Sequence, residues 1–588
     1  MDKNTNKILL IYIGYSTGDE KDSGTKNLQL GQLYLGTLLT KAGYGVKLYS
    51  DLFPDPDDFI EFIREGNYGM AGFYCITNTI YRVSAMADTI KEHFPSMPVL
   101  LGGPHVTVMD RETLENCRAD LIIRHEGEYT FREVAEYFYE KKISLHDIKG
   151  ITWRKGDEII RNPDREFIKN LDELPVPDWH MLEGDMADFN HSYPNIITGR
   201  GCPFKCAFCY ESFGGGEYRM RSAGHVIKEI ELLVNNWNVK YIKFVDDIFI
   251  VNSERMEQIC SAIKDLREKK YPFYWFCEAR VDILEKRLHL LSKMREAGLA
   301  ILQIGVESGN QDILDLYNKK ITLEQIEKTV KACVEADIFS VSINVIIGGP
   351  FETEEKIKNT TDFVRKLIKI APGRLICNNS LLTPYPGTLI HKEPERFGLK
   401  IIDPSFKDGQ TEDVVFMESE KMNKYDIHKA RLRFERDLYG IMLSELENLT
   451  AEQIEEHFNM TCYGIKTPWY SILSSDKGIK TYFNLKDIKL YRGYGEIEEE
   501  KLDDWCPQRT YSMEYSNSQS VLDRITGKIK LSEEESKFYK YSSGKLTFRE
   551  IVNILSEKTG EGKKELREKM MDFYKRMDSL YAIIWLRL

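Results

Sequence analysis

No run of apolar residues in this 588-residue chain approaches the roughly 18–20 that a membrane span needs, so no transmembrane segment is expected. The opening residues 1–6 lead straight into a strand-like stretch and lack the layout of a secretory signal, and a cytoplasmic location is the expectation. Basic charge is short: 81 Lys and Arg stand against 93 Asp and Glu, a formal net charge of −12. That balance argues against a protein that coats nucleic acid. In a reducing compartment the eleven cysteines are not expected to form a disulfide framework. Eight of them, Cys75, Cys117, Cys260, Cys277, Cys333, Cys377, Cys462 and Cys506, are scattered, and most of these read as small buried hydrophobes. With 42% apolar and 30% charged residues, collagen, coiled coil and wholesale disorder are excluded. The length exceeds what one hydrophobic core supports, so several domains are expected.

From Lys7 to about Glu140, short apolar runs alternate with helical patterns. The strands read as Ile8–Ile13, Val46–Tyr49, Met70–Tyr74, Pro98–Leu101 and Leu121–Arg124. Alternation at this spacing predicts an α/β domain over 1–150: a doubly wound parallel sheet that binds ligands at the carboxyl ends of its strands. Those ends carry Thr77 and Asn78, then Gly102, Gly103, Pro104, His105 and Val106, then Glu126, Gly127 and Glu128. A plain α/β domain would also place Gly and Pro there. The strings Asn27-Leu-Gln-Leu-Gly-Gln-Leu-Tyr-Leu-Gly, Leu101-Gly-Gly-Pro-His-Val-Thr and His125-Glu-Gly-Glu-Tyr-Thr together resemble the cobalamin-binding domain of radical S-adenosylmethionine (SAM) enzymes. The resemblance implies base-off cobalamin lying over 102–107 and 126–128, with Thr77 and Asn78 also in contact. A Pro-rich connector over 151–190 follows. Its Asp178-Trp-His180-Met-Leu-Glu-Gly184 resembles a cobalt-ligating histidine string. It has one residue too many and the wrong place in the chain, so it reads as a linker packed between domains.

Three cysteines are crowded in Cys202-Pro-Phe-Lys-Cys206-Ala-Phe-Cys209. A short loop at this spacing can put three thiolates on three corners of a 4Fe-4S cube and leave one iron open. A structural zinc site usually takes four protein ligands, and no fourth Cys or His lies nearby in sequence. C-x3-C-x2-C is the signature of the radical SAM superfamily, and by that resemblance Cys202, Cys206 and Cys209 hold the cluster while SAM chelates the open iron.

Downstream, strands at Ile196–Thr198, Tyr241–Val245, Tyr274–Cys277, Ala300–Ile304, Ser340–Ile347 and Leu375–Leu381 alternate with helices at 222–235, 253–267, 285–296, 321–336 and 353–369. This predicts a partial (β/α)6 barrel over 191–400 with function at its strand carboxyl ends. Cofactor contacts are expected at Phe208, Asp246, Arg280, Glu307, Ser308 and Gly349; for Arg280 and Glu307 the alternative is an ion pair bracing the strand ends. Gly305-Val-Glu-Ser-Gly309 resembles a SAM-contacting segment, and Ile347-Gly-Gly349-Pro-Phe-Glu352 the end of an adenine-contacting motif whose first glycine is replaced by Val345. The Gly-Gly-Glu with which many relatives hold the amino group of SAM is missing; Phe244-Val-Asp-Asp-Ile stands there instead.

Residues 401–518 read as a helical region, by position a lid over the barrel mouth. Over 519–588, a Thr547/Glu550 capping pattern, two amphipathic helices and a closing strand at Ala582–Leu586 suggest a small winged-helix-like domain. It resembles the leader-peptide-binding domain of pyrroloquinoline quinone biosynthesis. With 15 basic and 11 acidic residues from Val521 to Leu588, it is too mildly basic for a DNA surface.

Together these resemblances imply a cobalamin-dependent radical SAM enzyme. The expected reaction is methylation of an unactivated carbon of a ribosomally made peptide, by way of a 5′-deoxyadenosyl radical and methylcobalamin. Radical ring closure without methyl transfer is the alternative. The expected partners are a leader-bearing peptide and an electron donor such as flavodoxin or ferredoxin, with neither a membrane nor nucleic acid.

Overall fold

A computed structural model describes residues 6–14, 30–51, 54–211, 216–406, 414–488, 490–516, 519–525 and 527–587. The Asn27–Gln29 part of the first cobalamin-type string lies outside the described residues. The chain divides into two compact units, Met1–Leu438 and Tyr439–Leu588. Among the described residues no helix is long and apolar enough to cross a membrane.

The first unit opens with a seven-stranded sheet: β1 (Lys7–Ile13), β2 (Gly45–Asp51), β3 (Met70–Tyr74), β4 (Val99–Gly102), β5 (Leu121–Ile123), β6 (Ile151–Lys155) and β7 (Glu158–Arg161). The order is β2-β1-β3-β4-β5-β6-β7. The first five strands pair parallel. Strand β1 is buried on both faces, the unbroken apolar pattern of a strand covered by helices on either side. Its Leu9 and Ile11 join Phe73, Val99 and Leu101 in one core.

The sheet does not stop at residue 150. Strands β6 and β7 extend it antiparallel, so the first part of the expected 151–190 linker is a hairpin of this domain. Gly156, at φ +60°, makes its tight turn. A Gly-Asp pair between two apolar runs is a hairpin signal, and Ile151-Thr-Trp together with Ile159-Ile160 supplied those runs. Beyond the hairpin, the connector does pack between elements. Trp179 is fully buried, the Asp178 amide donates to Thr37 at 2.8 Å, and a Cβ on Gly36 would sit 2.9 Å from Met181. His180 lies against Trp237, ring centroids 4.9 Å apart.

The barrel is a six-stranded parallel sheet: β8 (Asn195–Ile196), β9 (Tyr241–Phe244), β10 (Tyr274–Ala279), β11 (Leu299–Glu307), β12 (Ser340–Ile347) and β13 (Leu375–Leu381). Helices Ala223–Asn236, Ser253–Lys269, Leu323–Glu335 and Glu354–Ile370 intervene at the predicted places. The third crossover starts at Val281, a little before its expected position. Local chemistry fixes the starts: Ser222, Asn252 and Thr353 cap their helices by accepting backbone amides, and Thr322 with Gln325 forms a capping box. The unit continues past residue 400 through a hairpin, Leu399–Ile401 with Met417–Ser419, into the helix Lys424–Ser444. The expected boundary at 400 is therefore too early.

The second unit holds β14 (Tyr491–Arg492), β15 (Trp505–Arg509), β16 (Met513–Ser516), β17 (Gln519–Arg524), β18 (Gly527–Leu531) and β19 (Ile583–Arg587), with helices Glu533–Tyr541, Phe548–Thr559 and Lys563–Ser579. The Thr547/Glu550 capping box is formed. The closing strand β19 lies between β14 and β15, so the small domain begins before residue 519. The far side of β15 is met by 542–544: the Arg509 amide donates to the Ser542 carbonyl at 3.0 Å, and Gly544 to Pro507 at 2.9 Å.

Candidate active site

The cluster-type cysteines lie on the loop after Gly199-Arg200, a short strand that pairs with Arg219-Met220. Asp246, at the end of β9, is buried beneath the entrance to that loop. Its carboxylate accepts from the Thr198 amide at 2.7 Å, from the Thr198 hydroxyl at 3.0 Å and from the Gly199 amide. Burial pushes the Asp246 carboxyl up to about 7. Read from sequence as a cofactor contact, Asp246 instead braces the loop from below. Further along, the Ala207 amide donates to the Tyr317 carbonyl at 2.9 Å, and the Asn318 amide side chain to the Lys205 carbonyl at 2.7 Å.

None of the three cysteines is in a disulfide. Arg280, at the end of β10, donates to Cys206 Sγ at 3.3 Å and to the Lys319 carbonyl at 2.7 Å. Its guanidinium lies 3.6 Å from the Phe204 ring centroid, a cation–π contact that fixes a positive charge beside the sulfur. Burial pushes the Cys209 thiol up to about 12 and raises Cys202 as well. Uptake of metal by these thiols therefore releases protons. Among the described residues no three His, Cys, Asp or Glu side chains converge on a single ion.

Glu307, at the end of β11, does not pair with Arg280. It adopts φ +64° and meets Lys319 at 2.5 Å, both side chains buried. Gly305 makes room for this pair, because a Cβ there would lie 2.5 Å from Lys319 Nζ. Lys319 was not legible as a site residue: it stands in Asn318-Lys-Lys320, which reads as an exposed turn. Ser308 is fully buried, within hydrogen-bonding reach of Thr360 and Asn310, and so faces the core. Gly349 is a packing position, where a Cβ would fall 2.5 Å from the Tyr317 hydroxyl; its amide donates to Glu352.

A cavity of about 810 Å³ fills the barrel mouth. Its wall includes Phe208 of the cysteine loop, Glu307, Asn344, the β13 residues Asn378, Asn379 and Ser380, and Asn78 from the loop after β3 of the first sheet. Val414, Phe416 and Arg431 complete it, so part of the region expected to act as a lid is a cavity wall.

A second, smaller cavity of about 260 Å³ opens at the carboxyl ends of β1, β3, β4 and β5. Gly102, Gly103, Glu126, Gly127 and Glu128 line it, beside apolar walls from Leu10, Phe73, Leu100, Leu101, Ile123 and Phe131. The two acids also reach across to the barrel. Arg200 meets Glu126 at 3.1 Å and Glu128 at 2.6 Å, and Arg219 meets Glu126 at 2.9 Å. Those arginines flank the cysteine loop, so the two carboxylates join the sheet to it. Val106, expected as a contact, is a core residue. His105 lines neither of these cavities; it bonds the buried Thr77 at 3.1 Å and borders a separate surface groove with Ile80 and His391. Gly103 sits at φ +119°, where a Cβ would fall 2.5 Å from the Cys75 carbonyl. Gly103→Ala is expected to cost about 1–3 kcal/mol in urea denaturation and to disturb this cavity.

Comparison with known proteins agrees with both halves of this geometry. The model of the radical SAM superfamily matches residues 196–364, and that of the B12 binding domain matches 22–135. An uncharacterized methyltransferase of Pyrococcus horikoshii is 30% identical over 65% of this chain and 82% of its own length. The chain belongs to the cobalamin-binding radical SAM enzymes. An anaerobic magnesium-protoporphyrin IX monomethyl ester cyclase of Cereibacter sphaeroides is 28% identical over 66% of this radical SAM chain, which spans 63% of the cyclase. The solved structure of the cobalamin-dependent SAM radical enzyme OxsB superposes with a TM-score of 0.58 at 14% identity, over 98% of this chain and 85% of that one. That likeness is one of fold.

The cofactors of this radical SAM enzyme are a 4Fe-4S cluster, SAM and cobalamin. The residues present fit them: three thiols outside any disulfide on a braced loop, a polar cavity over that loop, and a glycine-lined slot at the sheet's carboxyl edge that side chains larger than hydrogen would narrow.

Proposed function

We propose that this enzyme methylates an unactivated carbon of a ribosomally made peptide. The observation that carries the reading is the composition of the barrel cavity: Asn78 of the cobalamin-binding sheet, Phe208 of the cluster loop and Glu307 of the barrel border one space. A substrate held there lies within reach of both cofactor-binding regions. When bound, the cofactors supply a radical that removes a substrate hydrogen and a methyl group that replaces it.

The chain's own residues prepare that space. Asp246 and the Ala207–Tyr317 bond hold the cluster loop in place, and Arg280 keeps a positive charge at Cys206. The buried Glu307–Lys319 pair presents a charged floor without a net charge. Asn344, Asn378, Asn379, Ser380 and Thr383 both donate and accept hydrogen bonds, as a peptide's own amides do. That wall, together with the resemblance of the C-terminal domain to leader-binding domains, supports a peptide substrate. A flavodoxin or ferredoxin is the electron donor in this reading.

The test uses reduced holoenzyme, SAM carrying a deuterated methyl group, and a precursor peptide encoded beside the gene. The expected product gains the mass of CD₃ in place of one hydrogen. Loss of two hydrogens would establish ring closure instead, and an unchanged peptide would overturn the substrate class.

A further inference from the structure

We propose that Gln32 reads the nucleotide base of the bound cobamide, donating from its side-chain amide to an unprotonated ring nitrogen of that base. Gln32 lies in the first turn of the helix Leu30–Lys41 and is only 4% exposed. Its Nε2 has no hydrogen-bond partner among the described residues, and the residue lines the small cavity at the carboxyl edge of the first sheet. A buried donor left without a partner costs about 1–3 kcal/mol, and buried polar groups are satisfied in the great majority of cases. An unpartnered amide on a residue that lines a cavity is therefore a position open to an acceptor bound there.

The cavity narrows the choice of acceptor. Its walls are Leu10, Phe73, Leu100, Leu101, Ile123 and Phe131, which suit a flat apolar group rather than a sugar or a phosphate. A cavity of about 150 Å³ holds a benzene ring, so 260 Å³ accommodates a fused two-ring base. Among the other polar side chains at the rim, Glu126 and Glu128 are engaged with arginines and the Tyr34 hydroxyl with Arg221 at 3.2 Å, while the His125 ring packs edge-on against Phe167. In the base-off form of cobalamin the benzimidazole nitrogen that would otherwise ligate cobalt is a free acceptor. It is also the one strong acceptor on an otherwise apolar double ring. The two unmet needs match.

The consequence is specificity. A cobamide whose base carries such a nitrogen satisfies Gln32, whereas a phenolic cobamide or cobinamide, which has no base, leaves it unpaired.

The test measures binding of three ligands to wild-type protein and to Gln32→Leu by equilibrium dialysis: cobalamin, a cresolyl cobamide and cobinamide. Wild type is expected to prefer cobalamin over the cresolyl cobamide by about tenfold. Gln32→Leu is expected to lose that preference while binding cobinamide as wild type does. The thermal midpoint of the ligand-free variant should hold or rise, because an apolar residue replaces an unpartnered buried amide. Stability and cobalamin affinity then move in opposite directions, which a packing role would not produce. Equal weakening of all three ligands, or an undiminished preference in the variant, would overturn the proposal. So would wild-type protein that binds cobalamin no better than cobinamide.

Discussion

Alanine at Cys206 is expected to abolish SAM cleavage and to remove the iron–sulfur absorbance, while the corrin bands of bound cobalamin remain. Three thiolates are the minimum that leaves one iron of a cube open and still ties the cluster to the chain. The structure adds a reason why Cys206 in particular has no substitute. It is the buried member of the three, it is the one to which Arg280 donates, and the amide of the next residue is pinned to Tyr317. The cobalamin slot is lined mostly by another sheet, with Ile197 and Arg200 ahead of the cysteine loop, and is expected to keep its walls in the variant. A matched control is Cys333→Ala, at a fully buried cysteine on the helix Leu323–Glu335. It should cost about 1 kcal/mol of stability through lost packing and leave the iron content unchanged. The measurement is iron and sulfide content, the visible spectrum and 5′-deoxyadenosine formation on anaerobically reconstituted protein. Turnover by Cys206→Ala at the wild-type rate would sink the assignment of the cluster.

Much of this was legible because period and spacing are strong local signals. Strands such as Met70–Tyr74, Ser340–Ile347 and Leu375–Leu381 begin and end where their apolar runs do, and C-x3-C-x2-C needs no tertiary information. What could not be read is which way a polar residue at a strand end turns. Asp246 and Ser308 sit at the barrel's functional edge in sequence, yet both side chains are buried. Arg200 and Arg219 resemble surface charges in the sequence, and only the approach of two distant sheets gives them Glu126 and Glu128. Gln32 lies inside the first cobalamin-type string, yet nothing there marks it apart from its neighbours; its missing partner is a fact about three-dimensional neighbours and leaves no trace in periodicity. The hairpin Ile151–Arg161 is a different case, since its Gly-Asp turn was a usable signal outweighed by the prolines that follow.

Arg221→Met is expected to destabilise the full chain by roughly 3–5 kcal/mol, the range found when one partner of a buried ion pair is removed. Arg221 meets Glu229 at 2.6 Å with both side chains almost wholly buried. It also donates to the Ile197 carbonyl at 2.7 Å and to the Tyr34 hydroxyl at 3.2 Å. Glu229 takes its other bond from the buried Trp179 indole at 3.1 Å. One guanidinium thus ties the helix that carries Gln32, the connector and the strand that leads to the cluster loop. In the variant Glu229 keeps the Trp179 bond alone. Burial already raises its carboxyl above the ordinary range, and Arg221 is the main influence holding it down. Without Arg221 the folded-state pKa climbs further above the unfolded one. Stability linked to a raised carboxyl is present at low pH and lost as pH rises, so the gap between variant and wild type should widen from pH 5 toward neutrality. Adding Glu229→Gln removes the stranded charge, and the double variant should recover a large part of the loss. Urea denaturation followed by tryptophan emission reports on this directly, since Trp179 lies at the centre of the pair. A loss under about 1 kcal/mol, or no recovery in the double variant, would mean that the pair is incidental to how the cobalamin slot and the cluster loop are held together.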